Sequence, residues 1–356
     1  MPGLHILAAA REAGVAPLDL VWFTSGRSVE DRVLATLAER AGDVPWERVV
    51  LPIEPPGGGA PSRLRLATQL PASYLTSVRA LRRHRPEVLI GLGGFTSLPA
   101  VLAARRLGIP VALLEINAHA GTATKWLSRF ATRVVHAWQG TMPDTPNARD
   151  VHVGPPLAPD FVPDPRGAAA ARAALGFDPQ RPLLVVLGGS QGSSALNTFV
   201  RTHGPAMAAE GLQILHQTGP KKLDEGAAPF AGYRKSEYVD PVRPALAAAT
   251  VVLCRGGAST LAEVAAMRVP AFVAPYPHHA DRHQERNARE LGDGVRLVPD
   301  AQLDHSCRAA LVQLCSAEGQ AQHASMAQAL AAAMPHGSSR RILAQLCAIA
   351  RAAAAN

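Results

Sequence analysis

PLLVVLGGSQG, residues 182–192, decides the fold of this sequence. A short β-rich run ends in a glycine-rich turn, GGSQGSS (188–194), which runs straight into a helix. Glycine lets backbone approach a ligand closely, and a helix N-terminus offers free N–H groups and the positive end of the dipole. The same grammar occurs at GLGGFTS (91–97) and RGGAST (255–260). Any one of these is equally well a tight strand–helix turn. Three of them, each at the carboxyl end of a predicted strand, point to a nucleotide or phosphate cleft. No GxxxxGK[ST] occurs, and GxGxxG is absent in the form a dinucleotide site requires.

Outward from these turns, strands and helices alternate along the whole chain. Strands are predicted at 17–26, 48–53, 87–94, 111–117, 133–138 and 150–154. A helix is predicted at 29–41 and a loop at 55–60. After a proline-rich junction, PPLAPDFVPDPRG (155–167), strands resume at 182–192, 211–219, 236–240, 250–257, 270–277 and 294–300. Such alternation argues for an α/β protein with parallel sheets covered by helices on both faces. The expected architecture is two Rossmann-like, doubly wound domains facing each other across a cleft. The first is expected over 1–156 with the tail 340–356 packing back on it, and the second over 157–339.

Composition narrows the classes. With 47% hydrophobic and 18% charged residues the chain is a folded one. Its net charge of +8 and pI of about 9.8 favour an anionic partner. Cys254, Cys307, Cys315 and Cys347 form no CxxC pair, which predicts a reducing cytoplasm rather than a disulfide framework. No apolar run reaches the roughly 18 residues of a membrane span, and no signal-peptide pattern stands at the start.

Glu263, in GGASTLAE, could accept hydrogen bonds from both hydroxyls of a ribose while phosphates sit at the helix start. The alternative is an ordinary acidic residue favoured by the helix dipole. PYPHHADRHQERNA (275–288) gathers polar groups just after a strand. His278, His279 and His283 lack a paired carboxylate pattern, so no metal is expected there. No DxD for a metal-bound diphosphate is evident.

Four ordered blocks carry a specific likeness: GLGGFTSLPAVLAARRLGIPVALLEINAHAGTATKWLSRFA, LGGSQGSSALN, CRGGASTLAE and PYPHHADRHQERNA. Through them nearly the whole chain resembles the MurG family of UDP-N-acetylglucosamine transferases. The resemblance implies a GT-B fold and inverting, metal-independent, cofactor-free transfer of GlcNAc from UDP-GlcNAc to lipid I. The product would be lipid II, for peptidoglycan synthesis at the cytoplasmic face of the cell membrane. Carried over by position, Ser190 contacts the diphosphate region and Val239 meets uracil through its backbone. Ala258, Ser259, Thr260, Leu261, Ala262 and Glu263 hold phosphate and ribose, with Glu263 on the ribose hydroxyls. Gln284 and Asn117 face the GlcNAc, and Asn287 lies in the same block.

This sequence departs from the family pattern at several points. Ala158 stands where an arginine is usual, and Ile116 replaces a glutamine between Glu115 and Asn117. The opening MPGLHILAAAREAGV (1–15) reads as a helix that the family precedes with a strand and a GGTGGH loop carrying the presumed base. The expectation is a start codon placed too far downstream, or else a truncation that removed activity. Were the chain to act alone, Glu115 and His119 are the next candidates for base. From Arg63 to Arg106 there are eight arginines and one acid, Glu87. Leu70, Tyr74, Leu75, Val78 and Leu81 recur at helical spacing beside Arg79, Arg82, Arg83 and Arg85. Such a helix suits an anionic membrane surface, or buries its stripe on the sheet. No nucleic-acid recognition module is visible. The alternatives to the transferase are an inactive nucleotide-sugar binding protein and a related GT-B enzyme with another acceptor.

Overall fold

The computed structural model describes residues 2–355 apart from 16–18, 28–29, 54–59, 95, 143–148, 165, 280 and 336. All but the last residue of the loop expected at 55–60, and Phe95 of the GLGGFTS turn, lie outside the described residues. The chain divides into two compact units: Met1–Pro159 with His336–Asn356, and Asp160–Pro335. The first unit reaches beyond residue 156 because the chain's return is stitched to its exit. Leu157 N donates to Ser339 Oγ at 2.8 Å, and Arg341 Nη2 donates to Val153 O at 2.6 Å.

The second unit holds β7 (Leu183–Leu187), β8 (Gln213–Gln217), β9 (Tyr233–Ser236), β10 (Val251–Cys254), β11 (Ala271–Val273) and β12 (Val295–Leu297). They form one parallel sheet in the order β12-β11-β10-β7-β8-β9. In chain order that is the 3-2-1-4-5-6 doubly wound arrangement, whose direction reverses between β7 and β10. The central strand LLVVL is buried along its whole length, as a strand covered on both faces must be. Helix α7 (Ser194–Ala209) brings Leu196, Phe199 and Val200 into the core beside α11 (His305–Cys315) with Leu311.

The strand expected at 236–240 lies earlier. Tyr233–Ser236 pairs with Ile214–Gln217. Beyond it the chain turns, with Gly219 N bonded to Glu237 O and Ser236 Oγ donating to Tyr238 O.

In the first unit β1 (Leu20–Thr24) and β2 (Trp46–Val50) form one parallel pair. The strands β3 (Leu89–Gly91), β4 (Val111–Glu115), β5 (Arg133–His136) and β6 (Asp150–His152) form a separate parallel sheet in that order. Two helices bridge the sheets. From α1 (Pro2–Glu12), Leu4 and Leu7 pack with Leu20 and Trp22, whereas Ile6 packs with Ile90 and Leu114. From α3 (Ala60–His84), Ala80 joins Val21 while Val78 and Leu81 join Leu89. The tail helix α13 (Ser338–Ala354) lays Ile342, Leu346 and Ile349 on β4 and β5. No helix of the described residues is long and apolar enough to cross a membrane.

Most of the α3 stripe faces the core. Leu70, Tyr74, Val78 and Leu81 belong to core clusters, and only Leu75, 53% exposed, faces out with Arg79 and Arg82. Arg83 is held by Glu47 at 3.2 Å.

Candidate functional site

The reversal point between β7 and β10 places the loops 188–193 and 255–257 side by side at the strands' carboxyl ends. Backbone closeness there demands glycine. A Cβ on Gly192 would stand 2.2 Å from Thr218 O, so the loops after β7 and β8 touch main chain to main chain. A Cβ on Gly256 would stand 2.3 Å from Gln284 O, in α10 (His283–Arg289). Exposed Ser190 tops the first loop.

Helix α9 (Ala258–Ala266) starts at this point, and no side chain caps it at Gly257. Its first N–H groups, from Ala258, Ser259 and Thr260, are therefore open to an anion. Leu261 and Ala262 are buried and pack the helix against the sheet. In its second turn stands Glu263, 6% exposed, in contrast to the solvated position an ordinary dipole-favoured acid takes. Burial and the nearby Asp240 push its carboxyl up to about 7. No hydrogen bond among the described residues offsets that burial. Such a group calls for an external partner.

Gln284 and Asn287 hold the peptide of Gly256 from two sides. Gln284 Oε1 accepts from Gly256 N at 3.1 Å and from Tyr276 N at 2.9 Å, and Asn287 Nδ2 donates to Gly256 O at 3.2 Å. Buried Asn287 is thus a clamp on the loop, while half-buried Gln284 keeps its Nε2 for other use. Val239 N points at Gln217 Oε1, 3.4 Å away, and Gln217 Nε2 donates to Gly189 O at 2.8 Å.

Two residues that the motifs do not flag tie these loops together. Gln217 is one. The other is Arg255, whose Nε donates to Ser193 Oγ at 3.0 Å, whose Nη1 reaches Ala274 O at 3.0 Å, and whose fork engages both oxygens of Asp300. An arginine directly before the GG of RGGAST is the sequence signal for it. Beneath lies a neutral network: His216 Nε2 and Asn197 Oδ1 are 2.9 Å apart, and His216 Nδ1 and Tyr233 Oη 3.0 Å. Burial holds His216 down to about 4.

The residues carried over for the first unit are bonded within their own loop. Buried Glu115 accepts from Asn117 N, Asn117 Nδ2 and Gly121 N, each at 3.1 Å, and from Thr124 Oγ1 at 2.6 Å. With four donors on two oxygens it organises the loop entering α5 (Thr122–Leu127) and is poorly placed as a base. Lys125 Nζ lies 2.7 Å from His119 Nε2, on the lone pair that would take a proton. The amide of Asn117 is turned toward Glu115.

A doubly wound unit with an uncapped helix start and, one turn on, a buried carboxylate without a hydrogen bond among the described residues has the features of the nucleotide-sugar class. Comparison makes the class particular. Residues 29–136 match the glycosyltransferase family 28 N-terminal domain and residues 183–338 its C-terminal domain.

Two relatives carry the name UDP-N-acetylglucosamine--N-acetylmuramyl-(pentapeptide) pyrophosphoryl-undecaprenol N-acetylglucosamine transferase. The one from a Nocardioides species is 37% identical over 306 residues, covering 83% of this chain and 81% of that one. The one from Frankia casuarinae is 40% identical over 267 residues, covering 70% and 69%. The chain belongs to this family, MurG, within glycosyltransferase family 28.

Its fold is that of the GT-B glycosyltransferases. The crystal structure of Acinetobacter baumannii MurG superposes with a TM-score of 0.70 at 23% identity, covering 97% of this chain and 94% of that one. A Neisseria meningitidis UDP-GlcNAc 2-epimerase bound to UDP-GlcNAc gives 0.67 at 12%, covering 97% and 96%. The same fold thus serves transfer and epimerisation, and fold alone does not choose between them.

Proposed function

We propose that this chain transfers GlcNAc from UDP-GlcNAc to the 4-hydroxyl of the MurNAc unit of lipid I, with inversion and without a metal, giving lipid II. The observation that carries the reading is Glu263: a buried carboxyl pushed up to about 7, without a hydrogen-bond partner among the described residues, one turn beyond an uncapped helix start. The two ribose hydroxyls of UDP are donors suited to that carboxylate. The amides of Ala258, Ser259 and Thr260 take the diphosphate, and Ser190 adds a hydroxyl to it. Uracil meets the backbone of Val239. The free Nε2 of Gln284 is a donor for the sugar, and Asn117 is the further sugar-facing residue. As the bond to UDP breaks, negative charge grows on the diphosphate, where the helix start stabilises it.

The enzyme works as a peripheral protein on the cytoplasmic face of the membrane, where its lipid-linked acceptor resides. Exposed Leu75, one turn before Arg79 and two before Arg82, supports that placement, as does Trp126, 41% exposed beside Arg129. The contact is smaller than the full stripe suggests, because most of α3's apolar residues are spent on the core.

The engagement of Glu115 by four donors and of His119 by Lys125 favours a second reading, a UDP-sugar binding protein without transfer activity. The test is transfer of labelled GlcNAc to a lipid I analogue by this chain, alongside calorimetry with UDP-GlcNAc. Labelled lipid II supports the enzyme. Donor binding without transfer supports the second reading, and neither binding nor transfer overturns both.

A further inference from the structure

The loop between β11 and α10 brings together three side chains whose chemistry is that of a metal site. His279 Nδ1 lies 3.1 Å from each ring nitrogen of His283, and His283 Nδ1 lies 2.8 Å from Asp281 Oδ1. One ligand atom from each residue falls within 4.8 Å of the others. We propose that His279, Asp281 and His283 form a binding site for a divalent transition ion of the zinc class.

The separations fit the chemistry. Metal–ligand bonds of about 2.0–2.1 Å put neighbouring ligands roughly 2.9 Å apart at right angles and roughly 3.3–3.4 Å apart in a tetrahedron. The His279–His283 separation of 3.1 Å falls between these two spacings, and the His283–Asp281 separation of 2.8 Å lies close to the right-angle one. Two imidazoles and one carboxylate on one side of an ion leave its remaining positions for water. The spacing of the histidines shows no carboxylate pair, but the turn places Asp281 against His283, and that is what the linear reading lacks. Arg282, between the two ligands, adopts φ +48°, a left-handed conformation that a non-glycine residue takes only at a cost. Its guanidinium pairs with Glu285 at 2.5 Å.

The position gives the ion a consequence. His283 directly precedes Gln284, which holds the amides of Gly256 and Tyr276, and the Tyr276 ring stands 4.9 Å from that of His279. An ion here fastens the segment that supports the α9 loop. It takes no part in bond making, and the site stands on its own geometry whether or not the chain transfers GlcNAc.

The test uses tag-free, metal-stripped full chain titrated with Zn²⁺ in a calorimeter, and with Co²⁺ followed by its visible absorption. Wild type should take up one equivalent with histidine-type Co²⁺ bands. His279→Ala and Asp281→Asn should each weaken binding by about tenfold or more. Their unfolding midpoints without metal should match wild type, since the three side chains are partly or fully exposed. Zn²⁺ should raise the midpoint of wild type only. Absence of saturable binding overturns the proposal, as does binding that both variants retain at wild-type affinity.

Discussion

The two units solve the same folding problem differently. In the second, six parallel strands form one sheet and the site loops stand at its reversal point. In the first, the strands lie in a pair and a foursome, joined by helices α1 and α3 rather than by hydrogen bonds. Among the described residues, β1 pairs only with β2 and β3 only with β4. An unpaired parallel edge leaves backbone groups without ladder partners, which weakens cooperation between the two halves. The difference teaches where each unit keeps its order: the second in a continuous ladder, the first in side-chain packing across a break. It also separates their polar residues. Glu263 is buried without a hydrogen bond among the described residues, whereas Glu115 takes four from its own loop.

The change that should break the comparison most severely is Arg255→Met. It strands Asp300 and unties Ser193 from the carbonyls after β11. A loss of about 3–4 kcal/mol is expected for the second unit, read as a lowered urea midpoint. A loss below about 1 kcal/mol would mean that the glycine loops hold each other without it.

Glu263→Gln should sharpen the contrast by moving stability and function in opposite directions. Losing a charged acceptor for two hydroxyls should cost about 3 kcal/mol of donor binding, roughly a hundredfold in calorimetric affinity. The buried carboxyl titrates near 7 in the folded chain against 4.5 ordinarily, so the folded state binds its proton more tightly. Its burial therefore destabilises progressively as pH rises from 4.5 to 7, and fully above that. Glutamine removes this penalty, so the variant should be about 2–3 kcal/mol more stable at pH 8 and no more stable at pH 4.5. Unchanged donor affinity would remove the ribose role.

His216 gives the opposite slope. Held down to about 4 against 6.5, it contributes stability present above 6.5 and lost as pH falls toward 4. Its network belongs to the second unit, which should lose roughly 3 kcal/mol over that window, and less in His216→Gln. Amide exchange at pH 7 then compares the units directly. Protection in β7 and β10 should exceed that in β1 and β3 by at least about tenfold, because the split sheet opens in smaller pieces. Equal protection would mean that α1 and α3 couple the halves as firmly as a ladder does.

Much of this was legible because it is local. Strand, glycine turn and helix follow one another in LLVVLGGSQGSS, and two of the three-residue strands, β11 and β3, still show as apolar runs before PYP and before GG. The edge strand Tyr233–Ser236 escaped because YRKS has neither an apolar run nor alternation, and its pairing with β8 alone makes it a strand. Residues that act through distant partners were equally hidden. Arg255 meets Asp300 45 residues later, and Gln217 meets Gly189 28 residues earlier. Neither meeting has meaning until the strand order is known. Glu115 shows the complement: its role as a loop clamp is local, but four donors converging on one carboxylate cannot be read from EINAHAGTAT.

The smallest expected effect concerns the outer face of the first unit. The break in its sheet is bridged on one side by α3, so that helix cannot offer its apolar stripe to the core and to a lipid at once. The observed burial gives the core priority, leaving Leu75 with Arg79 and Arg82. Attraction to an anionic surface should then be mostly electrostatic. Arg79→Gln or Arg82→Gln should each weaken binding to phosphatidylglycerol vesicles by about 1 kcal/mol, about fivefold, at low salt. The loss should shrink at high salt as the charges are screened. Leu75→Ser should cost less than about 1–2 kcal/mol, the worth of one exposed aliphatic side chain. If Leu75→Ser abolished vesicle binding while both arginine variants retained it, α3 would have to move off the core on membranes, and the bridge between the two sheets would be a temporary one.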